Sequence, residues 1–170
     1  MIGILNSALE SFIITDAIRK IYPSVNIYIC DNKDIKKNIE KIRKKECKII
    51  IFKQNYDISE LKNKNKDLFL LTIPIINNKD YFLLDTKELV NAVINGNEKE
   101  VETILNNIEI PLNKTILIND TKLLLIKEQL SSKYPNKIVT SIDFLLSEIN
   151  TIIRQKNIDC NNQKLTIIIN

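Results

Sequence analysis

The sequence predicts an α/β fold with mostly parallel strands, and three observations carry that prediction. Short β-branched runs alternate with longer amphipathic segments from one end of the chain to the other. Within KIIIF at 48–52 the four residues after the lysine are all apolar, the pattern of strands covered on both faces. Of the 170 residues, 44% are hydrophobic, enough for a packed core, and no apolar run approaches the length that crosses a bilayer.

The elements follow in order. Residues 2–6 (IGILN) read as a strand. Residues 8–21 carry Leu9, Ile13, Ile14, Ala17, Ile18 and Ile21 on one helical face. Ser7 is placed to cap that helix with Glu10 as its capping-box partner, and Pro23 ends it. Residues 26–30 form a second strand, 33–45 a charged helix and 48–53 a third, fully buried strand. Residues 54–67 are polar, with KNKNKD a surface loop or helix end. LFLLTIPII at 68–76 reads as a strand at a sheet margin, because Pro74 cannot donate to a ladder. Helices over 85–95 and 97–108 are split by the N-G-N turn around Gly96. A strand at 115–119, a helix at 121–133, a strand at 137–141, a helix at 143–155 and a strand at 165–169 complete the alternation. Residues 1–76 are expected to form an N-terminal α/β lobe and 77–170 a second one, separate or packed as one compact domain.

Composition removes several chemistries. There are 34 Ile, 22 Lys and 22 Asn, residues of AT-rich codons, so an AT-rich genome accounts for much of the Lys and Asn content. With no His there is no imidazole base, no Ser-His-Asp triad and no His metal site. With glycines only at 3 and 96, no Gly-rich phosphate loop can be written. Cys30, Cys47 and Cys160 form no CxxC, and with no signal-peptide pattern reduced thiols in a cytoplasm are expected. The net charge of +4 is spread out. The basic run at 36–48 contains Glu40 and Glu46 and no aromatics, which fits a solvated helix face better than a nucleic-acid site. Neither nucleic acid nor membrane is an expected partner.

Ligands of parallel α/β sheets sit at the carboxyl ends of strands. Those ends carry Asn6 and Ser7, then Gln54, Asn55 and Tyr56, then Asn119, Asp120 and Thr121. Two readings stand for them: pocket residues, or caps and turns that serve only the following helix.

The same strand ends carry a family likeness. The opening IGILNSALESFIITDAIRKIYPSVNIYICDN resembles the N-terminus of glutamate racemase, of the aspartate/glutamate racemase superfamily, whose pattern is I-G-V-F-D-S-G-V-G-G, a helix, a Pro turn and a strand ending Y-x-G-D-T. Ile2, Gly3, Ser7, Ile18, Arg19, Pro23, Tyr28 and Asp31 keep that pattern. CKIIIFKQNYD resembles the strand ending A-C-N-T. NKTILINDTKLLLIKEQLSSKYPNKIVTSID resembles L-G-C-T-H-Y-P-L-L with its helix and the next strand ending I-D-S, and TIIIN resembles the closing strand. The likeness covers most of the chain in order and implies racemase-like, flavodoxin-like parallel-sheet lobes.

In that family two opposed thiols remove and return the α-proton of an amino acid without a cofactor or metal, which needs a tuned base on one side and an acid on the other. The matched positions depart from this. The first-strand Asp falls on Asn6, the first catalytic Cys on Gln54, the Glu that follows a Pro on Asn77, the second catalytic Cys on Asn119 and its neighbouring His on Thr121. Amide side chains do not titrate near neutrality, so no catalytic residue is expected and no metal ligand either. Ser7, Asn55 and Asp120 remain as polar groups for a small amino-acid-like ligand. The substrate loop P-Y-G is missing, the spans Asp31–Gln54 and Gln54–Asn119 are short for the family, and Ala8, Glu10 and Ser11 replace glycines. The resemblance thus implies a shortened, degenerate racemase with a binding or interaction role, as a homodimer or with a partner protein. The alternatives are an active amino-acid isomerase using Asp120 as its base, and an unrelated flavodoxin-like domain. A receiver domain would need clustered acids with a Lys, and only Asp31 and Asp120 are offered.

Overall fold

The computed structural model describes residues 1–31, 33–158 and the backbone of 167–169. The chain divides into two compact units, Met1–Pro74 with Phe144–Asn170 and Ile75–Asp143. The lobe boundary expected after residue 76 lies next to the observed one, while the segment from Phe144 onward, expected in the second lobe, is grouped with the first.

The first unit is a parallel sheet of five strands. β1 (Ile2–Leu5), β2 (Ile27–Cys30), β3 (Ile49–Phe52), β4 (Phe69–Thr72) and β8 (Ile167–Ile169) stand in the order β4-β3-β1-β2-β8. All pairs are parallel, with Ile2 opposite both Ile27 and Ile49. Every residue of β1, β2 and β3 is buried, as their unbroken apolar runs require. β4 is the edge strand, and Pro74 lies beyond it, where the missing N–H costs no ladder bond. Residues 165–166 of the expected last strand lie outside the described residues, as does Cys160.

α1 (Ala8–Ile21), α2 (Ile35–Lys44), α3 (Ser59–Lys64) and α7 (Ser141–Lys156) are the helices that accompany these strands, with the opening residues of α7 belonging to the second unit. α1 starts and ends where its cap and apolar spacing put it. α2 buries Asn38, Ile39 and Ile42 and turns its lysines outward, so the basic run is a helix face. Its C-terminal turn closes through Glu46 at φ +56°, a left-handed backbone that a side chain makes costly.

The second unit is a three-stranded parallel sheet, β5-β6-β7, made of Tyr81–Leu83, Thr115–Ile118 and Ile138–Thr140. α4 (Lys87–Ile94), α5 (Glu98–Asn107) and α6 (Lys127–Lys133) complete it. Leu84, Leu89, Val101, Ile116, Ile118 and Leu130 make its core. Gly96 takes φ +65° between α4 and α5, the conformation the N-G-N turn needs. Two expectations change here. The helix read over 121–133 begins as a 3₁₀ helix, Thr121–Ile126, before α6. β5 was not expected at all, because its three residues run directly into Leu84 and the next helix.

Gly3 shows why glycine stands in β1. A Cβ there would lie 2.8 Å from Ile42 Cγ2, so α2 sits against the bare backbone. Gly3→Ala is expected to lower stability by about 1–3 kcal/mol. Ile42→Ala, which removes Cγ2 and Cδ1, should cost less in the Gly3→Ala background than in the parent, because it takes away the clashing atoms. Urea unfolding of the single and double variants measures this, and an equal cost in both backgrounds would refute close packing as the cause.

Candidate functional site

The strand ends of the first unit bring Asn6, Ser7, Gln54 and Asn55 to one edge of the sheet, because β1 and β3 are direct neighbours in register. Asn6 is 2% exposed. Its Oδ1 accepts the Ser7 N–H at 2.8 Å, and its Nδ2 is buried with no acceptor. Ser7 is the N-cap of α1: its Oγ accepts the Glu10 N–H at 3.4 Å and donates to Glu10 Oε2 at 2.9 Å. The capping box read from the sequence is thus modified, with the glutamate holding the serine hydroxyl while the Ser7 N–H is served by Asn6.

Gln54 donates through Nε2 to the Pro74 carbonyl at a long 3.5 Å. Asn55 is exposed and sits at φ +60°, a left-handed position that Asn accepts more readily than most residues. Tyr56 stacks on Phe52, ring centroids 5.3 Å apart, and so closes the core beneath this edge.

In the second unit Asn119, Asp120 and Thr121 follow β6. Asn119 is committed on every side. Its Oδ1 accepts the Ile76 N–H at 2.9 Å and its Nδ2 donates to the Ile76 carbonyl at 3.0 Å, so the side chain pairs with one residue's main chain as a neighbouring strand would. Its own N–H donates to Asp85 Oδ2 at 2.8 Å and its carbonyl accepts from Ser141 Oγ at 2.9 Å. Asp120 caps the 3₁₀ helix, Oδ1 accepting the Lys122 N–H at 2.9 Å, with Lys122 Nζ at 3.4 Å. Thr121 is buried, and its Oγ1 has no partner. Asn77, which the resemblance matches to a family glutamate, is exposed.

Asp85 is the residue that sequence reading missed. It follows β5 and Leu84, and its carboxylate receives the backbone of Asn119 and Asp120. Burial pushes its pKa up, the Asp120 and Asn119 N–H groups pull it back, and the Asp120 charge adds to the rise. Its Oδ1 is buried without a donor. The signal was present in YFLLD, an apolar run ending in a polar residue like the other strand ends, but Asp85 was absorbed into the start of a helix.

Among the described residues the thiols are Cys30 and Cys47, and both are buried. Burial raises the Cys47 pKa to about 12, and burial likewise raises that of Cys30. Among the described residues no cluster of three or more His, Cys, Asp or Glu is arranged to hold a metal ion. No helix there is long and apolar enough to cross a membrane.

The two parallel sheets, with polar residues at their carboxyl ends, define an α/β protein with parallel strand pairing. The solved structures of similar fold make that specific. Glutamate racemase from Thermus thermophilus, in complex with β-chloro-D-alanine, has a TM-score of 0.65 at 12% identity, covering 99% of this chain and 86% of its own. The Campylobacter jejuni glutamate racemase gives 0.65 at 15%, over 99% and 91%. The Francisella tularensis enzyme, in complex with D-glutamate, gives 0.57 at 13%, over 99% and 87%. No family model and no curated protein matches the chain. The fold is therefore that of the glutamate racemases.

Two outcomes test this geometry. Asn119→Ala leaves the Ile76 N–H and carbonyl unpaired and is expected to cost about 1–3 kcal/mol in urea unfolding; Asn119→Asp, which keeps the acceptor and loses the donor, should fall between. The second concerns Asp85. A carboxyl with a folded pKa above its unfolded value holds its proton more tightly when folded, so its contribution to stability is full at acid pH and fades as pH rises through the folded pKa. Asp85→Asn, which keeps an accepting oxygen, should remove that fall. Denaturant midpoints measured from pH 4 upward should decline less in the variant than in the parent, and parallel curves would refute the assignment.

Proposed function

We propose that this chain is a racemase-like protein without proton-transfer chemistry, retained for binding a small amino-acid-like ligand or a partner protein, a second copy included. One observation supports the loss of chemistry above the others. Asn119 stands where the resemblance places the second catalytic thiol, and both ends of its amide are engaged by Ile76. A group that neither titrates nor is free to approach substrate serves neither half of a two-base relay. Gln54, at the first thiol's position, is neutral as well. Asp120, the acid of the isomerase alternative, is engaged as a cap and beside Lys122.

The binding role rests on the first unit. The Asn6 Nδ2 is a buried donor with no acceptor at the carboxyl end of β1, and leaving such a group unmade costs about 1–3 kcal/mol. An oxygen of a small polar ligand beside α1's N-terminus would satisfy it.

The test is proton exchange at the α-carbon. L- and D-glutamate and L- and D-aspartate, incubated with the protein in D₂O and followed by NMR, are expected to take up no deuterium above a control without protein. Protein-dependent exchange would overturn the proposal. Its disappearance in Asp120→Ala would then assign the activity to that acid.

A further inference from the structure

α1 carries a polar line that its role as a core helix does not explain. Ser11, Thr15 and Arg19 recur every fourth residue, which puts them on one helical face. Ser11 is fully buried and Thr15 is 4% exposed. Neither hydroxyl has a partner, although each stands four residues after a carbonyl that a Ser or Thr in a helix commonly bonds. Arg19 Nε and Nη2 are also buried and unpartnered. Helical side chains lean toward the N-terminus, a tendency that directs Arg19 toward the turn that carries Thr15.

The atoms left open define the chemistry. Nε–H and Nη2–H form the side-on edge of a guanidinium, two parallel donors spaced for the two oxygens of a carboxylate or phosphate. A guanidinium stays charged at any working pH, so burying that edge without an acceptor is more costly than orphaning a neutral amide. Two hydroxyls on the same face can donate to the same group. Asp16, three residues before Arg19 on α1, pairs with Lys20 at 2.9 Å, and Asn150 of α7 accepts the Tyr22 hydroxyl at 2.7 Å. Arg19 as a whole is only partly buried, so its outer bonds can turn to admit a small molecule.

We propose that Arg19, with Thr15 and Ser11, binds a small oxyanion, a carboxylate or a phosphate, on the inner face of α1. Arg19, the centre of this site, stands three turns along the helix from Ser7, although Ser11 lies one turn from it, and the proposal does not depend on the function proposed for the strand-end residues.

The probes are sodium acetate and sodium phosphate, titrated against sodium chloride at equal ionic strength while thermal unfolding of the whole chain is followed. The parent protein is expected to gain melting temperature with anion concentration as the site fills. Arg19→Met should lose that dependence, and Arg19→Lys, which keeps the charge but not the paired donors, should lose most of it. A response to acetate alone assigns a carboxylate ligand, and to phosphate alone a phosphate. Identical anion dependence in the parent and in Arg19→Met would overturn the proposal, because only general salt effects would remain. Should Arg19→Met fail to fold, Thr15→Val serves in its place, with a weakened response expected. A crystal structure grown in acetate or phosphate gives the independent readout: an anion bridging Nε and Nη2 supports the site, and water alone at those atoms overturns it.

Discussion

A parallel strand has to be covered on both faces, and this constraint governs where the chain can place polar chemistry. β1, β2 and β3 meet it with side chains that are almost entirely aliphatic, and Gly3 meets it by having no side chain, which lets Ile42 of α2 come onto the strand. Each buried Ile or Leu contributes about 1.5–3 kcal/mol, so the middles of these strands have no room for a polar group without a partner. Polar residues are pushed to the carboxyl ends, where the ladder stops and the next helix begins. Every strand-end residue then serves two masters. The backbone there needs caps and turn partners, and any ligand would need the same atoms.

In this chain the backbone has won most of those contests. Ser7 and Asp120 cap helices, Asn55 takes a left-handed turn, and Asn119 joins Ile76, Asp85 and Ser141. A thiol could not perform the Asn119 task. It is a weak donor and weak acceptor and cannot present N–H and C=O side by side, whereas a carboxamide reproduces the edge of a peptide. An amide at that position therefore matches what the fold requires there. Asp85 belongs to the same structure, since its carboxylate receives the main chain on the other side of Asn119.

How much of this was legible depended on length and on what identity a position demands. The ends of α1 could be read to the residue because it has a cap, a capping partner and a proline stop, but its buried face could not: Leu9 and Ile21, expected inside, are exposed, and Ser11 and Thr15 are buried with Ile14 and Ile18. β3 was legible because four successive apolar residues fit little else at that length. β5 was not, since three half-exposed residues bounded by Asp80 and by Leu84 carry neither alternation nor a turn signal of their own. With β5 unseen, Asp85 lost its place at a strand end. The strand-end residues of the site were legible as positions, but their partners were not. Nothing in the sequence says that Asn119 reaches Ile76, because that pairing depends on how the chain returns to β6 after Pro74.

The groups that remain unpaired are the more informative residue of this accounting. Folding selects against buried donors and acceptors without partners, so an Asn119 amide with both ends bonded and an Asn6 amide with Nδ2 open are not accounted for by Asn abundance alone. Composition makes Asn common. It does not explain why one copy is bonded at both ends and another is not. Saturation at Asn119 is what a structural role produces. The open donor at Asn6 and the open guanidinium edge at Arg19 are the places where an acceptor from outside the chain would be held under the two proposals. Acid–base chemistry and ligand binding make separate demands on these residues, and an open donor can serve the second without the first.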